Sequence, residues 1–344
     1  MLLAVRLSAD LNTMVSRAQS AFIKRSIHDN FLYTQNLVRA LHKAGKPTLF
    51  LKLDIAKAFD VVRCDYLQEV LQQFGFGVRW RSWVTTLLGK ASSTVLLNGI
   101  RGKWFTHKTG LRQGDPLSPM LFILAMEPLQ RMLDKATEQG LLTPIGSCNA
   151  KIRTSLFADD AAIFLNPIGA EVQVVKRVLT AFGAASGLIT NTEKSAVYPI
   201  RCDGIQLEQI MEAFSCPIKS FPCKYLGLPL HVRAIRRVDI QPLIDKVGGK
   251  LAIWKGKLMN RAGRLKLVTS VLSSLPTYFM TVFKLPKWAI KKIDRLRRSF
   301  LWKGEPETSG AHCLVNWCKT MRPKKFGGPG VLDLDLFSRA LRLR

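Results

Sequence analysis

The chain has 344 residues, 47% of them apolar, which supports a substantial core and excludes a wholly disordered protein. Its 52 Lys and Arg against 24 Asp and Glu leave a net charge of +28, so a polyanion is the expected partner, nucleic acid first and an anionic membrane surface second. Nothing approaches the roughly 18 consecutive apolar residues of a spanning helix, the start lacks a signal-peptide pattern, and seven irregularly spaced cysteines argue against a disulfide framework. The expected setting is therefore reducing and intracellular, nucleus or cytoplasm.

Residues 1–45 read mainly helical and close at Gly45-Lys46-Pro47. Thr48–Ile55, TLFLKLDI, reads as a buried strand with Asp54 emerging at its C-terminal end. Asp65–Phe74 and Val78–Gly89 read as helices separated by Gly75-Phe76-Gly77. Thr94–Leu97 and Ile100–Phe105 read as a hairpin about Asn98-Gly99, which suits a type I′ turn. A loop over Gly110–Pro116 leads into an apolar helix from Leu117 to Ala136. Ile152–Phe157 and Ala161–Leu165 read as a hairpin with Ala158-Asp159-Asp160 at its tip. Glu171–Ser186 reads as a helix, Lys194–Ile200 as a strand and Tyr225–His231 as one further short strand. From Ile240 to Leu301 the pattern is helical, with breaks expected at Pro242, Pro276 and Pro286; the Gly/Pro-rich tail from Gly304 is expected to be loosely ordered. The order of elements predicts an α+β fold, an antiparallel sheet with helices on one face.

Charge is concentrated in residues 233–303, with 18 basic and 3 acidic residues, a net of +15. That block carries enough apolar residues to fold and enough charge to bind phosphate.

Adjacent carboxylates at a hairpin tip repel each other and gain nothing from burial. Asp159 and Asp160 sit at such a tip between apolar strands, and Asp54 ends another apolar strand. A divalent cation removes that penalty; Mg²⁺ takes oxygen ligands and leaves positions for water or phosphate. A pair of such ions suits in-line phosphoryl displacement.

These stretches resemble the reverse transcriptase of non-LTR retrotransposons, of the LINE type common in plants, from about Ser20 to Leu334. LKLDIAKAFD (Leu51–Asp60), GLRQGDPLSPMLF (Gly110–Phe122), SLFADDAAIF (Ser155–Phe164), GLITNTEKSAVY (Gly187–Tyr198) and YLGLPL (Tyr225–Leu230) resemble successive palm motifs. Ile253–Met280 resembles the thumb of plant elements. The resemblance implies a right-hand polymerase: partial fingers over 1–47, palm over 48–232, a basic helical thumb over 233–303 and an extension over 304–344. It implies an RNA-directed DNA polymerase acting on an RNA template, a DNA primer and dNTPs, with two Mg²⁺ ions, or Mn²⁺ in their place, and no membrane partner.

By the same resemblance Asp54, Asp159 and Asp160 are catalytic, and they bind metal together with Ile55. Phe59 is the gate against a 2′-hydroxyl, which disfavours an RNA-dependent RNA polymerase. Arg25, Gln113, Gly114 and Lys194 join Phe59 around the nucleotide. Tyr225, Leu226, Gly227 and Leu228 form the primer grip, and Lys255, Lys257, Arg261, Arg264 and Lys266 track the nucleic-acid backbone. Several positions depart from the family pattern. SAFIKRSIHDN (Ser20–Asn30) is one residue short before Arg25, the preceding fingers strand is missing, Cys64 replaces a Trp and Pro329 a Leu. His312, Cys313 and Cys318 do not complete a zinc knuckle. The chain is thus expected to be a fragment of a larger or decaying element that extends primers poorly. The alternatives are a non-catalytic nucleic-acid-binding remnant and a domesticated, maturase-like RNA-binding protein.

Overall fold

The computed structural model describes residues 2–145, 153–212, 214–251, 256, 258–305 and 313–343. The chain divides into two units, Met1–Val232 and Arg233–Arg344.

The first unit opens with helices α1 (Leu2–Met14) and α2 (Ile27–Lys43). Ser26 caps α2 by accepting from the backbone N–H of His28, with Asp29 in the first turn and Lys43 in the last, as the helix dipole favours. Strand β1 (Thr48–Leu53) follows, then α3 (Ala58–Val61), α4 (Cys64–Gln73) and α5 (Val78–Gly89). The expected hairpin is two nested ribbons of very short strands: β2 (Ser92–Ser93) pairs with β5 (Phe105–Thr106), and β3 (Leu96–Leu97) with β4 (Ile100–Arg101). Asn98 and Gly99 both take positive φ at the tip, as a type I′ turn requires. Helix α6 (Ser118–Glu138) leads to β6 (Thr154–Phe157) and β7 (Asp160–Leu165), with α7 (Gly169–Ser186), β8 (Ala196–Ile200) and α8 (Leu207–Met211) after them. Ile152, expected to start β6, lies outside the described residues. Lys194 and Ser195 sit in a turn before β8 rather than in the strand, because Asn191 accepts both of their backbone N–H groups, through Oδ1 and its carbonyl.

The single strand expected at Tyr225–His231 is instead a hairpin of β9 (Cys223–Tyr225) and β10 (Leu228–Leu230). Its two turn residues, Leu226 and Gly227, have φ of 45° and 78°. Leucine rarely enters that region, so the turn carries only half of its usual sequence signal.

The main sheet runs β6-β7-β1-β8, antiparallel throughout. Leu49, Leu51 and Leu53 pair with Leu165, Ile163 and Ala161 and face the core shared with α6 and α7. Burying each such leucine stabilises by about 1.5–3 kcal/mol relative to leaving it exposed. The alternate residues Phe50, Phe164 and Tyr198 form an aromatic layer with Phe221 and Tyr225 on the opposite face. The expected antiparallel sheet with helices on one face is present, and α2 and the β9–β10 hairpin cover the other face as well, through Phe31 against Tyr225.

The second unit contains α9 (Arg237–Gly248), α10 (Arg261–Leu267) continuing into a π-helical turn at Val268–Leu272, α11 (Thr277–Val282) and α12 (Lys287–Lys303). Pro276 and Pro286 stand immediately before α11 and α12. Pro242, expected to break the chain, lies inside α9. The carbonyl deprived of its N–H belongs to Val238, an exposed residue, so solvent rather than a buried cavity faces it.

The tail also differs from expectation. Its described part folds into α13 (Trp317–Thr320) and α14 (Leu334–Arg342), with Val331 and Leu334 buried. The cause is Arg297 of α12, whose side chain is fully buried. Its guanidinium donates to Asp294 Oδ1 (2.6 Å), Ser273 Oγ (2.9 Å) and the Leu332 carbonyl (2.7 Å), and lies over the Trp317 ring. A buried guanidinium demands acceptors, and the tail supplies one.

Candidate active site

The site begins with register. Leu53 pairs with Ala161, so one further step places Asp54 opposite Asp160. Residues opposite each other in an antiparallel pair have Cβ atoms about 5 Å apart. Asp54 follows Phe50 and Lys52 on the aromatic face, and Asp160 precedes Ala162 and Phe164 on the same face. Phe157 pairs with Asp160, which leaves Ala158 and Asp159 as a two-residue turn with φ of 53° at Ala158. Asp159 is exposed; Asp54 and Asp160 are half-buried.

The backbone around Asp54 is held from outside the sheet. Its N–H donates to Ser195 Oγ (3.0 Å), and its carbonyl accepts from Asn191 N–H (2.8 Å). Ser195 Oγ in turn donates to the Asn191 carbonyl (2.6 Å). Burial pushes the Asp160 carboxyl above its ordinary range; Lys52 opposes that rise, and Asp159 and Asp54 add to it. Lys52 Nζ donates to the Lys224 carbonyl of β9 at 3.0 Å, so it ties the strand bearing Asp54 to the β9–β10 hairpin.

The resemblance implies divalent metal ions, and these residues fit one. Among the described residues no three ligating side chains are already gathered around one point. Mg²⁺ does not need such a cage, because it usually binds through one or two carboxylates and keeps water or phosphate elsewhere. Here all side-chain donors are hard oxygens, and a cation would relieve both the burial of the Asp160 charge and its repulsion by Asp159 and Asp54. Ile55 is buried in the core, so it can offer a metal only its backbone carbonyl.

The other expected residues lie as follows. Phe59 is half-buried and stacks on Phe122 of α6, ring centroids 4.5 Å apart. Gln113 is exposed and donates to Asp60 Oδ1 (3.1 Å), beside Phe59. Gly114 has φ of 90° with open space where a Cβ would stand, so conformation rather than crowding calls for glycine there. Lys194 is exposed, one residue before the Ser195 that holds Asp54.

Arg25 is partly buried, and its guanidinium donates to the carbonyls of Asn12, Val15, Ser16 and Gln19. Tyr225, Leu226 and Leu228 are buried; the hairpin presents Gly227 and Lys224 outward. The Tyr225 hydroxyl lies 2.7 Å from Ser155 Oγ in a network with Asn30 and Thr34, and burial pushes its pKa well up. In the second unit Arg261 and Lys266 are exposed on α10. Arg264 donates to the carbonyls of Gly256, Met259 and Trp302. Lys255 and Lys257 lie outside the described residues.

Sequence reasoning passed over Lys52, Asn191 and Ser195. Lys52 carried a usable signal: it is a lone charge in an apolar strand, two residues before Asp54 and so on its face. Asn191 and Ser195 had none, since a polar turn residue looks the same whether or not a distant strand end leans on it.

Among the described residues no helix is long and apolar enough to cross a membrane. The sequence pattern of the family described as reverse transcriptase (RNA-dependent DNA polymerase) matches residues 2–230. An uncharacterized 149 kDa protein of transposon TX1 from Xenopus laevis is 27% identical over 99% of this chain and 26% of its own length. The Pol polyprotein of the type-2 retrotransposable element R2DM from Drosophila melanogaster is 27% identical over 100% of this chain and 32% of its own length. This chain therefore spans about a quarter to a third of those relatives. A telomerase from Candida albicans, solved in complex with the TWJ fragment of telomeric RNA, aligns over 99% of this chain and 56% of its own at 12% identity, with a TM-score of 0.49. The chain belongs to the reverse transcriptase family, as a domain of the kind carried in the Pol proteins of non-LTR retrotransposons.

Proposed function

We propose that the chain is an RNA-directed DNA polymerase domain that extends a DNA primer on an RNA template with dNTPs. The observation that carries this reading is the register that sets Asp54 opposite Asp160, with Asp159 beside it, at the ends of core strands. In it, Asp54, Asp159 and Asp160 hold two Mg²⁺ ions, which supply charge neutralisation at the reacting phosphate. Phe59, fixed against Phe122, stands under the sugar; Gln113 and Gly114 border the base pair; Lys194 reaches toward the triphosphate. The β9–β10 hairpin meets the primer through the Gly227 backbone and Lys224. Residues 1–47 serve as partial fingers, 48–232 as palm and 233–303 as thumb, with the described part of 304–344 folded into the same unit as the thumb.

The plant LINE assignment belongs to this reading too. A putative ribonuclease H protein of Arabidopsis thaliana is 35% identical over 33% of the chain, whereas the animal relatives match along its whole length at lower identity.

Synthesis by the chain alone is expected to be weak. Arg25, the fingers cation expected to meet the β- and γ-phosphates, has its guanidinium on four main-chain carbonyls. The test is primer extension on RNA with Mg²⁺ and dNTPs, comparing the unmodified chain, a form with Gly inserted before Arg25, and Asp159→Ala. Whatever synthesis occurs should fall about 100-fold or more in Asp159→Ala. Synthesis that survives Asp159→Ala would refute the carboxylate assignment. Silence from every form, with nucleic-acid binding intact, would favour a non-catalytic remnant.

A further inference from the structure

The turn that carries Asp159 is held in an unfavourable conformation. Ala158 has φ of 53°, a region that side chains with a Cβ avoid and that two-residue hairpins usually give to glycine. Something outside the hairpin must secure it.

That support comes from Gln19, whose side chain is almost fully buried between α1 and α2. Residues 18–20 run alongside the edge strand β6: Leu156 N–H donates to the Ala18 carbonyl (2.9 Å), and Ser20 N–H donates to the Leu156 carbonyl (3.1 Å). From this position Gln19 Oε1 accepts three backbone N–H groups, those of Ser20 (3.0 Å), Ala21 (2.9 Å) and Ala158 (3.1 Å). Three donors on one oxygen fix which end of the amide faces the turn. The amide nitrogen is buried and makes no hydrogen bond among the described residues, so the side chain is used here only as an acceptor. Arg25 completes the arrangement by donating to the Gln19 carbonyl (2.7 Å) and to the end of α1.

We infer that Gln19 is a positioning residue for the metal-binding carboxylates: its oxygen holds the Ala158-Asp159 turn in the conformation that keeps Asp159 and Asp160 directed toward Asp54. The inference rests on the proposed metal role of those aspartates. It also gives Arg25 a task that needs no triphosphate, namely holding the segment from which Gln19 reaches the turn.

The test uses the full chain and two readouts. The first is backbone hydrogen exchange of the Leu156–Asp160 segment, which depends on neither metal nor catalysis. The second is Mn²⁺ binding followed by paramagnetic resonance. Gln19→Met keeps the volume and removes the acceptor. It should speed exchange of that segment and weaken Mn²⁺ binding, each by about five-fold, the size expected for one lost net hydrogen bond. Adding Ala158→Gly removes the conformational penalty and should restore both, which a general loss of packing at residue 19 would not allow. Unchanged exchange in Gln19→Met, or no recovery in the double variant, would overturn the inference. Should Gln19→Met fail to fold, Gln19→Glu retains accepting oxygens and must keep exchange slow; fast exchange there overturns it equally. Failure of the unmodified chain to bind Mn²⁺ would instead count against the proposed function, while the exchange result still decides whether Gln19 holds the turn.

Discussion

Glu127 shows how a single side chain can serve the fold at a cost set by pH. It lies on α6, almost fully buried, and its Oε1 accepts from Ser16 N–H at 3.1 Å, with Arg131 Nε 3.7 Å away. Burial lifts its carboxyl above the ordinary range, Asp134 adds to that, and the Ser16 hydrogen bond and Arg131 only partly oppose it. A carboxyl raised in the folded state is one whose ionisation opposes folding. The penalty is absent below the unfolded value of about 4.3, grows as pH rises through the folded value, and is complete above it. Glu127→Gln keeps the acceptor and drops the charge. Urea unfolding should show this variant gaining on the natural chain as pH rises from about 4 toward 7, and level with it or behind at the acid end. A stability difference that does not change with pH would contradict this reading.

At the scale of elements, the second unit is tied together by Arg297. Replacing it by Met leaves Asp294, Ser273 and the Leu332 carbonyl without their buried partner. Removing one member of such a pair typically costs about 3–5 kcal/mol. Arg297→Met should lower the unfolding midpoint of that unit and expose α13 and α14 to limited proteolysis; an unchanged cleavage pattern would show that the tail is held by its apolar contacts alone. This contact also marks where the sequence stopped being legible. The strand that ends in Asp54 and the hairpin that carries Asp159 and Asp160 could be read from local patterns, because alternation, length and an acid at a turn are all short-range. The order of the tail could not, because the group that recruits it lies 35 residues upstream and resembles any other arginine of a basic helix. The β9–β10 hairpin was hidden for a related reason: Leu226 is held in a left-handed turn by burial, against its own preference.

At the scale of the whole molecule the dominant fact is charge, and the structure sorts it into two kinds. Arg261 and Lys266 are exposed and free to meet phosphate, whereas Arg264 and Arg297 donate to the protein's own carbonyls. Nucleic-acid binding by the full chain should weaken steeply with salt, with a slope in log K against log salt of about −0.9 per duplex phosphate neutralised. Arg261→Ala and Lys266→Ala should each make that slope shallower by about one phosphate and leave melting unchanged. Arg264→Ala should instead lower the melting temperature. A filter-binding titration with the same slope in all variants would show that α10 is not where the charge is used.

The short helix α3 also carries a consequence for inheritance. Its Asp60–Val61 backbone is clasped between two glycines from distant parts of the chain. A Cβ added at Gly110 would stand 2.6 Å from the Asp60 carbonyl oxygen, and one added at Gly187 would stand 2.3 Å from that of Val61. Both glycines also take φ near +84°, so neither conformation nor space admits another residue. In a glycine codon, every change at the first or second base specifies a residue with a Cβ or a stop. Where a mobile element's copies accumulate random base changes, those two codons have no tolerable missense neighbour. Their state in any copy therefore reports whether the Asp60–Val61 segment can still be assembled, independently of whether the aspartates themselves survive.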